Sequence, residues 1–463
     1  MFSYVKSHRL PLLFAAFCCI LYWSFGFDLL RSDFVKLISL YSALFGFTYW
    51  LIKSSGWNFW LLAGMGIVFR LILFPSIPNL SQDFYRFLWD GRLLVQGINP
   101  YLITPEAYLS AGNQVVPQAH ELYDGMGALN GSHYSNYPPT NQLIFTIASV
   151  FTKNSIIGSV IVFKVMMLVA DLGILYFGRK LLLKLKLPAN KIFWYFLNPF
   201  VIIEMTGNLH CEGIMLFFLL WALYLLFEKK WVWAAVILGI SISVKLLPLL
   251  FLPVFYSWFV KKWRLGKGFW TLKKFGWIAL GTTVLTFTPF LSSGFISNFL
   301  ATIGLWFQTF EFNASVYYII RWIGFETVGW NIIETAGKVL PLVIVVSILC
   351  LALFRRSKTD SDRSEMKHLI TNMLFAAAIY FLLSTTVHPW YIATPLVLSV
   401  FTKYKFPIVW SFLVFLSYSA YAEYGFHENL WLVALEYVLV IGFFLWELNG
   451  SNRSRDEKTA DTI

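Results

Sequence analysis

Residues 155–178 read SIIGSVIVFKVMMLVADLGILYFG, with only Lys164 and Asp171 charged. A helix crossing a hydrocarbon core of about 30 Å takes roughly 20 such residues, so this run is a membrane span. Working outward, similar apolar runs recur near 10–27, 34–52, 57–75, 192–203, 213–227, 231–245, 246–260, 275–291, 338–354, 369–387, 391–402, 406–422 and 430–447. Their length excludes the weak ten-residue alternation of an outer-membrane barrel. Of the 463 residues, 58% are hydrophobic and 13% charged, where a soluble chain carries about a quarter charged. A soluble enzyme, a disordered scaffold and a fibrous protein are thereby excluded. The expected fold is an all-α polytopic membrane protein with about 12–14 transmembrane helices. Some runs are only about 11 to 15 residues long and imply tilted, broken or merged helices.

A signal peptide over 10–27 is a weak alternative, because no small-residue cleavage site follows and a second run begins at once. Four cysteines, two of them adjacent at Cys18 and Cys19, form no metal or disulfide spacing. The net charge of +12 is explained by topology. With the N-terminus cytoplasmic, the inner segments 1–9, 53–56, 179–191, 228–230, 261–274, 355–368, 403–405 and 448–463 hold 26 of the 36 Lys and Arg. The positive-inside rule supports that orientation in an inner (plasma) membrane, with basic loops meeting anionic lipid rather than nucleic acid. Residues 1–447 then form one integral-membrane domain and 448–463 a disordered cytoplasmic tail. The large first outer loop 76–154 carries interfacial helices, among them Gln142 to Phe151, and a second outer segment covers 292–337.

Nearly every polar group that topology leaves unexplained lies in the outer segments. Asp83 and Asp90 are seven apart on one helical face, with Arg86 between them, and the turn Gly97-Ile98-Asn99-Pro100-Tyr101 follows. A satisfied salt-bridge face is the competing explanation. Next comes Asn136-Tyr137-Pro138-Pro139-Thr140, where two prolines fix an extended entry to a helix that Thr140 can cap, or simply stiffen the loop. Glu204 to Gly213, with Asn208, His210 and Glu212, breaks an apolar run, which implies a polar cavity. His210 alone would more often be structural, and a divalent metal on His210, Glu204 and Glu212 is not a specific pattern. Lys245 ends a helix without a local partner, a cation for a phosphate or a snorkelling side chain. Glu311 to Ser315, with Arg321 beyond, and His388-Pro389-Trp390-Tyr391 complete the set. The last of these also suits an aromatic belt. Lys164 and Asp171 read as a structural pair or a polar packing contact within their span.

Taken in order, Asp83, Arg86, Trp89-Asp90-Gly91, Gly97-x-Asn99-Pro100-Tyr101, Tyr137-Pro138-Pro139, Asn208-x-His210-x-Glu212, Phe312-Asn313-Ala314-Ser315 and His388-Pro389-Trp390-Tyr391 resemble bacterial polytopic mannosyltransferases of the GT-C class. These use polyprenol-phosphate sugars, and the pattern is more distantly similar to the GPI mannosyltransferase I family. The likeness runs from about residue 57 to 391. Gln82-Ser81 precedes Asp83, so the Asp-x-Asp of some relatives is absent, and His210-Cys211-Glu212 stands where relatives often have His-Asn-Asp.

The resemblance implies a GT-C-like fold and inverting transfer of a sugar, mannose for choice, from a polyprenyl-phosphate donor to an acceptor hydroxyl on the outer (periplasmic) face. The acceptor, whether lipid, glycan or protein, stays open. Asp83 is the expected base and Asp90 the second choice. Lys245, Arg321 and His388 are expected at the donor phosphate. Arg86, Tyr137, His210, Glu212 and Asn313 are expected to bind substrate. A lipid-linked sugar transporter or flippase and a non-catalytic subunit of a glycan-assembly complex are the alternatives. The one-sided polar groups argue against the first, and retention of both aspartates argues against the second.

Overall fold

A computed structural model describes residues 9–460 apart from 57, 153, 263–264, 356–360 and 423–424. Helices of eight residues or more, numbered in chain order, begin with α1 (Arg9–Phe27), α2 (Phe34–Ser55), α3 (Phe59–Ile72), α4 (Asp83–Val95), α5 (Ala119–Gly131), α6 (Pro139–Thr152), α7 (Ile156–Lys184) and α8 (Glu212–Phe227). They continue with α9 (Trp231–Val244), α10 (Leu265–Phe287), α11 (Ser293–Gln308), α12 (Val316–Val328), α13 (Ile333–Phe354), α14 (Asp362–Leu383), α15 (Phe406–Leu413) and α16 (Leu430–Ala460). Among the described residues, strand pairing is confined to the hairpin of Tyr421–Ala422 with Gly425–Phe426 and one parallel bridge from Phe312 to Thr386. The fold is all-α, polytopic and GT-C-like.

Among the described residues, α1, α2, α7, α13, α14 and the Leu430–Gly450 part of α16 are long and apolar enough to cross a membrane. Two bent pairs raise the number to eight: Pro199–Gly207 with Glu212–Phe227 at 113°, and Gly266–Phe290 with Ser293–Leu305 at 118°. Four further apolar helices, Phe59–Ile72, Trp231–Val244, Leu247–Val260 and Phe406–Ala420, are shorter. Among the described residues, six to eight of the expected helices are thus long enough to cross alone, and the others are short or broken, as the short apolar runs imply. Proline accounts for much of this, because Pro199, Pro248, Pro253 and Pro389 each stand at the start of a short helical piece within an apolar run. At 1.5 Å per residue, fourteen residues rise only about 21 Å, less than a hydrocarbon core. The last helix, α16, runs to Ala460.

Buried charged side chains tie the end of α3 to α7, though not as the spacing predicts. Lys164 and Asp171 do not pair, since seven helical residues separate them by about 10 Å along the axis. Asp171 instead accepts from Arg70 Nε at 2.7 Å, and Arg70 also donates to the Gly66 carbonyl at 2.9 Å. Lys164 donates to the carbonyls of Leu73 and Ser76 and, at 3.1 Å, to the Ser76 hydroxyl. A cation thus satisfies carbonyls left open where α3 ends. Replacing either partner of Arg70–Asp171 leaves a buried charge, at a cost of about 3–5 kcal/mol.

α4 holds the first polar motif. Its N-terminus carries Asp83, whose N–H donates to Ser81 Oγ at 3.3 Å, and negative charge there suits the helix dipole. It ends where Gly97 takes φ 73°, with Ile98 N–H bonded to Leu93 O at 2.9 Å and Gly97 N–H to Leu94 O at 3.0 Å. Its apolar face packs on α6: Phe87 stacks on Phe145 with centroids 4.7 Å apart and planes at 10°. Gly91 permits this approach, because a Cβ there would drive into the Phe145 carbonyl. The run Gln142 to Phe151 is accordingly a packed helix starting at Pro139, and Thr140 Oγ1 bonds Ser243 Oγ at 2.9 Å.

Candidate active site

Seven of the predicted site residues line one cavity of about 870 Å³: Asp83, Arg86, Tyr137, His210, Glu212, Lys245 and His388. They arrive from five parts of the chain, and each part is fixed by its own contacts.

Asp83 is half-buried, and among the described residues no ion pair within 4 Å engages it. Burial raises its carboxyl above the ordinary aspartate range, while the charges of Lys245 and Arg31 pull it back down. Asp90, at the other end of α4, does not line the cavity. It is fully buried, accepting from Arg86 Nε at 2.8 Å, Ser135 Oγ at 2.5 Å and Gln142 Nε2 at 3.0 Å. Arg86 also donates to the carbonyls of Asn130 at 2.6 Å and His133 at 2.8 Å. This network pins the loop around residues 130–135 to α4. The turn at Gly97–Tyr101 does a similar job: Tyr101, fully buried, donates to the Tyr137 carbonyl at 2.5 Å and sits among Phe290, Phe295 and Phe299.

The third motif occupies the break before α8. A π-turn, Ile202–Gly207, runs into Leu209 at φ 65°, a backbone region that L-residues rarely adopt. π-bulges of this kind cluster at functional sites. Asn208 Oδ1 accepts from Leu80 N–H at 3.0 Å, joining the break to the segment that leads into Asp83. Glu204, His210 and Glu212 do not converge as a metal set. His210 Nε2 lies 3.6 Å from Glu204 Oε2, Tyr418 donates to Glu204 Oε1 at 2.6 Å, and Glu212 turns to an ion pair with Lys245. Among the described residues, no group of three or more His, Cys, Asp or Glu could hold a metal ion.

Lys245 has no partner near it in sequence, and Glu212 supplies one across 33 residues. The His388 segment forms the facing wall. His210 stacks on Trp390 at 3.6 Å and 15°, and Trp390 on His388 at 4.5 Å and 8°. His388 Nδ1 is buried without a hydrogen-bond partner. Burial first, then Lys245 and Arg31, lower its imidazole to about 3, so it is neutral at physiological pH rather than a cation. Backbone bonds from Phe312 N to Thr385 O at 3.1 Å and from Val387 N to Phe312 O at 2.8 Å hold this wall against residues 310–313.

Besides Asp90, two expected site residues lie elsewhere. Asn313, at φ 46°, is buried away from the cavity lining. Its N–H donates to Glu428 at 2.6 Å, its amide lies 3.3–3.4 Å from Glu436, and its carbonyl accepts from Tyr437 at 2.6 Å. It anchors the 310–315 segment to α16. Arg321 pairs with Glu311 and lies over the Tyr318 ring at 4.4 Å, also outside the lining. Both contribute to the scaffold. Conversely, Arg31 and Tyr421 line the cavity and were not singled out from the sequence. The signal for Arg31 was a basic residue on the side that the positive-inside rule depletes.

A family model described as alpha-(1->6)-mannopyranosyltransferase, N-terminal domain (the MptA_B family), matches residues 36–261. Alpha-(1->6)-mannopyranosyltransferase A of Mycobacterium tuberculosis is 22% identical over 340 residues, 71% of this chain and 63% of that protein. The protein of the same name from Corynebacterium glutamicum is 23% identical over 374 residues, 72% of this chain and 70% of that protein. Alpha-(1->6)-mannopyranosyltransferase B of C. glutamicum is 26% identical over 146 residues, covering 31% of this chain and 23% of its own length. The chain thus spans just under two thirds of the M. tuberculosis relative. Fold, motif order and these relatives together identify the chain as one that resembles the polytopic mannosyltransferases of the GT-C class.

Proposed function

We propose that this protein is an integral-membrane mannosyltransferase that moves mannose from a polyprenyl-phosphate donor to an acceptor hydroxyl on the outer face of the membrane. The observation that carries this reading is Asp83: a carboxylate outside any ion pair among the described residues, in a cavity that also holds cations and an apolar wall. Leu246, Leu247, Leu250, Ile303 and Phe310 line that wall and suit a polyprenyl chain. The names of the similar proteins support mannose as the sugar. The positive-inside count supports an outward-facing site, with the termini in the cytoplasm.

In the proposed step, the acceptor oxygen attacks the anomeric carbon while its proton passes to the Asp83 carboxylate. The bond from that carbon to the phosphate oxygen breaks, and its electron pair leaves on the phosphate. A phosphodiester monoanion becomes a phosphomonoester dianion, so one negative charge develops where cations must meet it. Lys245 is one such cation. Because Glu212 already balances it, the pair suits orienting more than net attraction. Neutral His388 offers a hydrogen bond rather than charge. Burial of Asp83 raises its basicity, which favours proton abstraction near neutral pH.

The test is reconstitution of the purified chain in liposomes with polyprenyl-phosphate mannose and a set of lipid, glycan and peptide acceptors. Transfer of mannose to an acceptor supports the reading. Movement of the donor between leaflets without transfer replaces it with a flippase.

A further inference from the structure

We infer that Arg31, on the connection between α1 and α2, is the principal charge that receives the leaving phosphate of the donor. This inference rests on the phosphate-linked donor proposed above. It concerns a residue outside the 36–261 region matched by the family model and before residue 57, where the motif likeness begins.

Three basic side chains are found among the described cavity-lining residues: Arg31, Arg86 and Lys245. Arg86 is bound to Asp90, and Lys245 to Glu212. No carboxylate lies within 4 Å of Arg31 among the described residues, and its Nε is buried without a hydrogen-bond partner. Its charge acts on both Asp83 and His388, so it stands close to the reacting groups. A planar guanidinium presents a fork of donors that matches phosphate oxygens, which an ammonium cannot do.

The position is built rather than incidental. Asn79, four residues before Asp83, donates to the carbonyls of Phe25 at 2.7 Å and Leu29 at 3.2 Å, fastening the end of α1 to the segment that enters the site. Asp33 caps α2 by accepting from Lys36 N–H at 3.0 Å, fixing the other end of the connection. Between these anchors, the Arg31 guanidinium lies 3.2 Å from the centroid of the Tyr421 ring, and Tyr421 itself lines the cavity. The aromatic face holds the side chain while leaving edge donors for an anion. The first two helices are then more than a membrane anchor, because their connection completes the cavity.

The experiment uses the full-length protein in liposomes and measures the inhibition constant of polyprenyl monophosphate, the donor KM and the acceptor KM. For Arg31→Gln, the inhibition constant and donor KM should rise about ten- to a hundredfold, the size of a lost charge-assisted hydrogen bond. The acceptor KM should stay unchanged, and Arg31→Lys, which keeps the charge but loses the fork, should recover part of the loss and stay weaker than wild type. An unchanged inhibition constant in a folded Arg31→Gln overturns the inference. So does a parallel rise in both KM values that Arg31→Lys does not relieve, which marks a structural role. If Arg31→Gln does not fold, Arg31→Lys carries the test, and wild-type inhibition by the monophosphate in that variant overturns it. A wild type that does not bind polyprenyl monophosphate overturns the donor reading and this inference together.

Discussion

At the start of α4, Asp83 faces the cavity without an ion pair among the described residues, whereas seven residues later Asp90 is fully buried and commits both oxygens to Arg86, Ser135 and Gln142. The two carboxylates share a helix and a face, and the sequence offers both as catalytic candidates. Their surroundings separate them. A buried charge whose lone pairs are all engaged is held by the fold and holds it in return, because removing one partner strands the other. A carboxylate that accepts from Asn130 and stands beside cations and a cavity is available to take a proton.

The largest effect that sharpens this contrast belongs to Asp83→Asn. Loss of a general base typically costs 10² to 10⁴ in rate, so turnover per folded molecule should fall at least a hundredfold with thermal stability near wild type. Asp90→Asn should do the reverse in kind: a loss of about 3–5 kcal/mol in stability, from leaving Arg86 uncompensated, read by denaturation in detergent. The folded fraction should keep turnover within a few-fold. A stable, inactive Asp90→Asn beside an active Asp83→Asn would exchange the two roles.

A smaller effect concerns the Lys245–Glu212 pair. Lys245→Ala alone strands a buried carboxylate, so its defect mixes folding with binding. The double variant Lys245→Ala/Glu212→Gln removes both charges and should fold. It should still use the donor about ten- to a hundredfold less well, since a charge-assisted contact is worth about 1.5–3 kcal/mol. Wild-type donor kinetics in the double variant would leave the pair as a structural strut.

The sequence made the helical membrane fold and most of the cavity legible because the informative residues stand at fixed places relative to apolar runs. Asp83, His210, Glu212, Lys245 and His388 all follow or interrupt such runs, and the topology gathers them on one side. Partner choice was not legible. Lys164 and Asp171 looked paired by spacing, yet each finds its partner around α3, through contacts that only tertiary packing creates. Asn313 and Arg321 sit beside motif residues but turn to Glu428, Glu436 and Glu311. Where the short runs end was not legible, because prolines within apolar runs convert continuous hydropathy into short helices and turns. Arg31 escaped notice because it stands alone in a short connection, with no neighbouring motif to mark it.

The central claim is that Asp83 is the base, and the pH dependence of kcat/KM tests it most directly. That dependence reports the titration of groups in the free enzyme. The base must be ionised, so activity should fall as pH drops through the Asp83 value, which burial places above the ordinary aspartate value of about 3.9. Lys245 and Arg31 both lower that value, so removing either positive charge should move the acid limb to higher pH. The expected result is an acid limb above the usual carboxylate range in the wild type, shifted upward in Arg31→Gln, which removes a positive charge and no negative one. A limb that stays fixed in Arg31→Gln would contradict Asp83 as the group that accepts the proton.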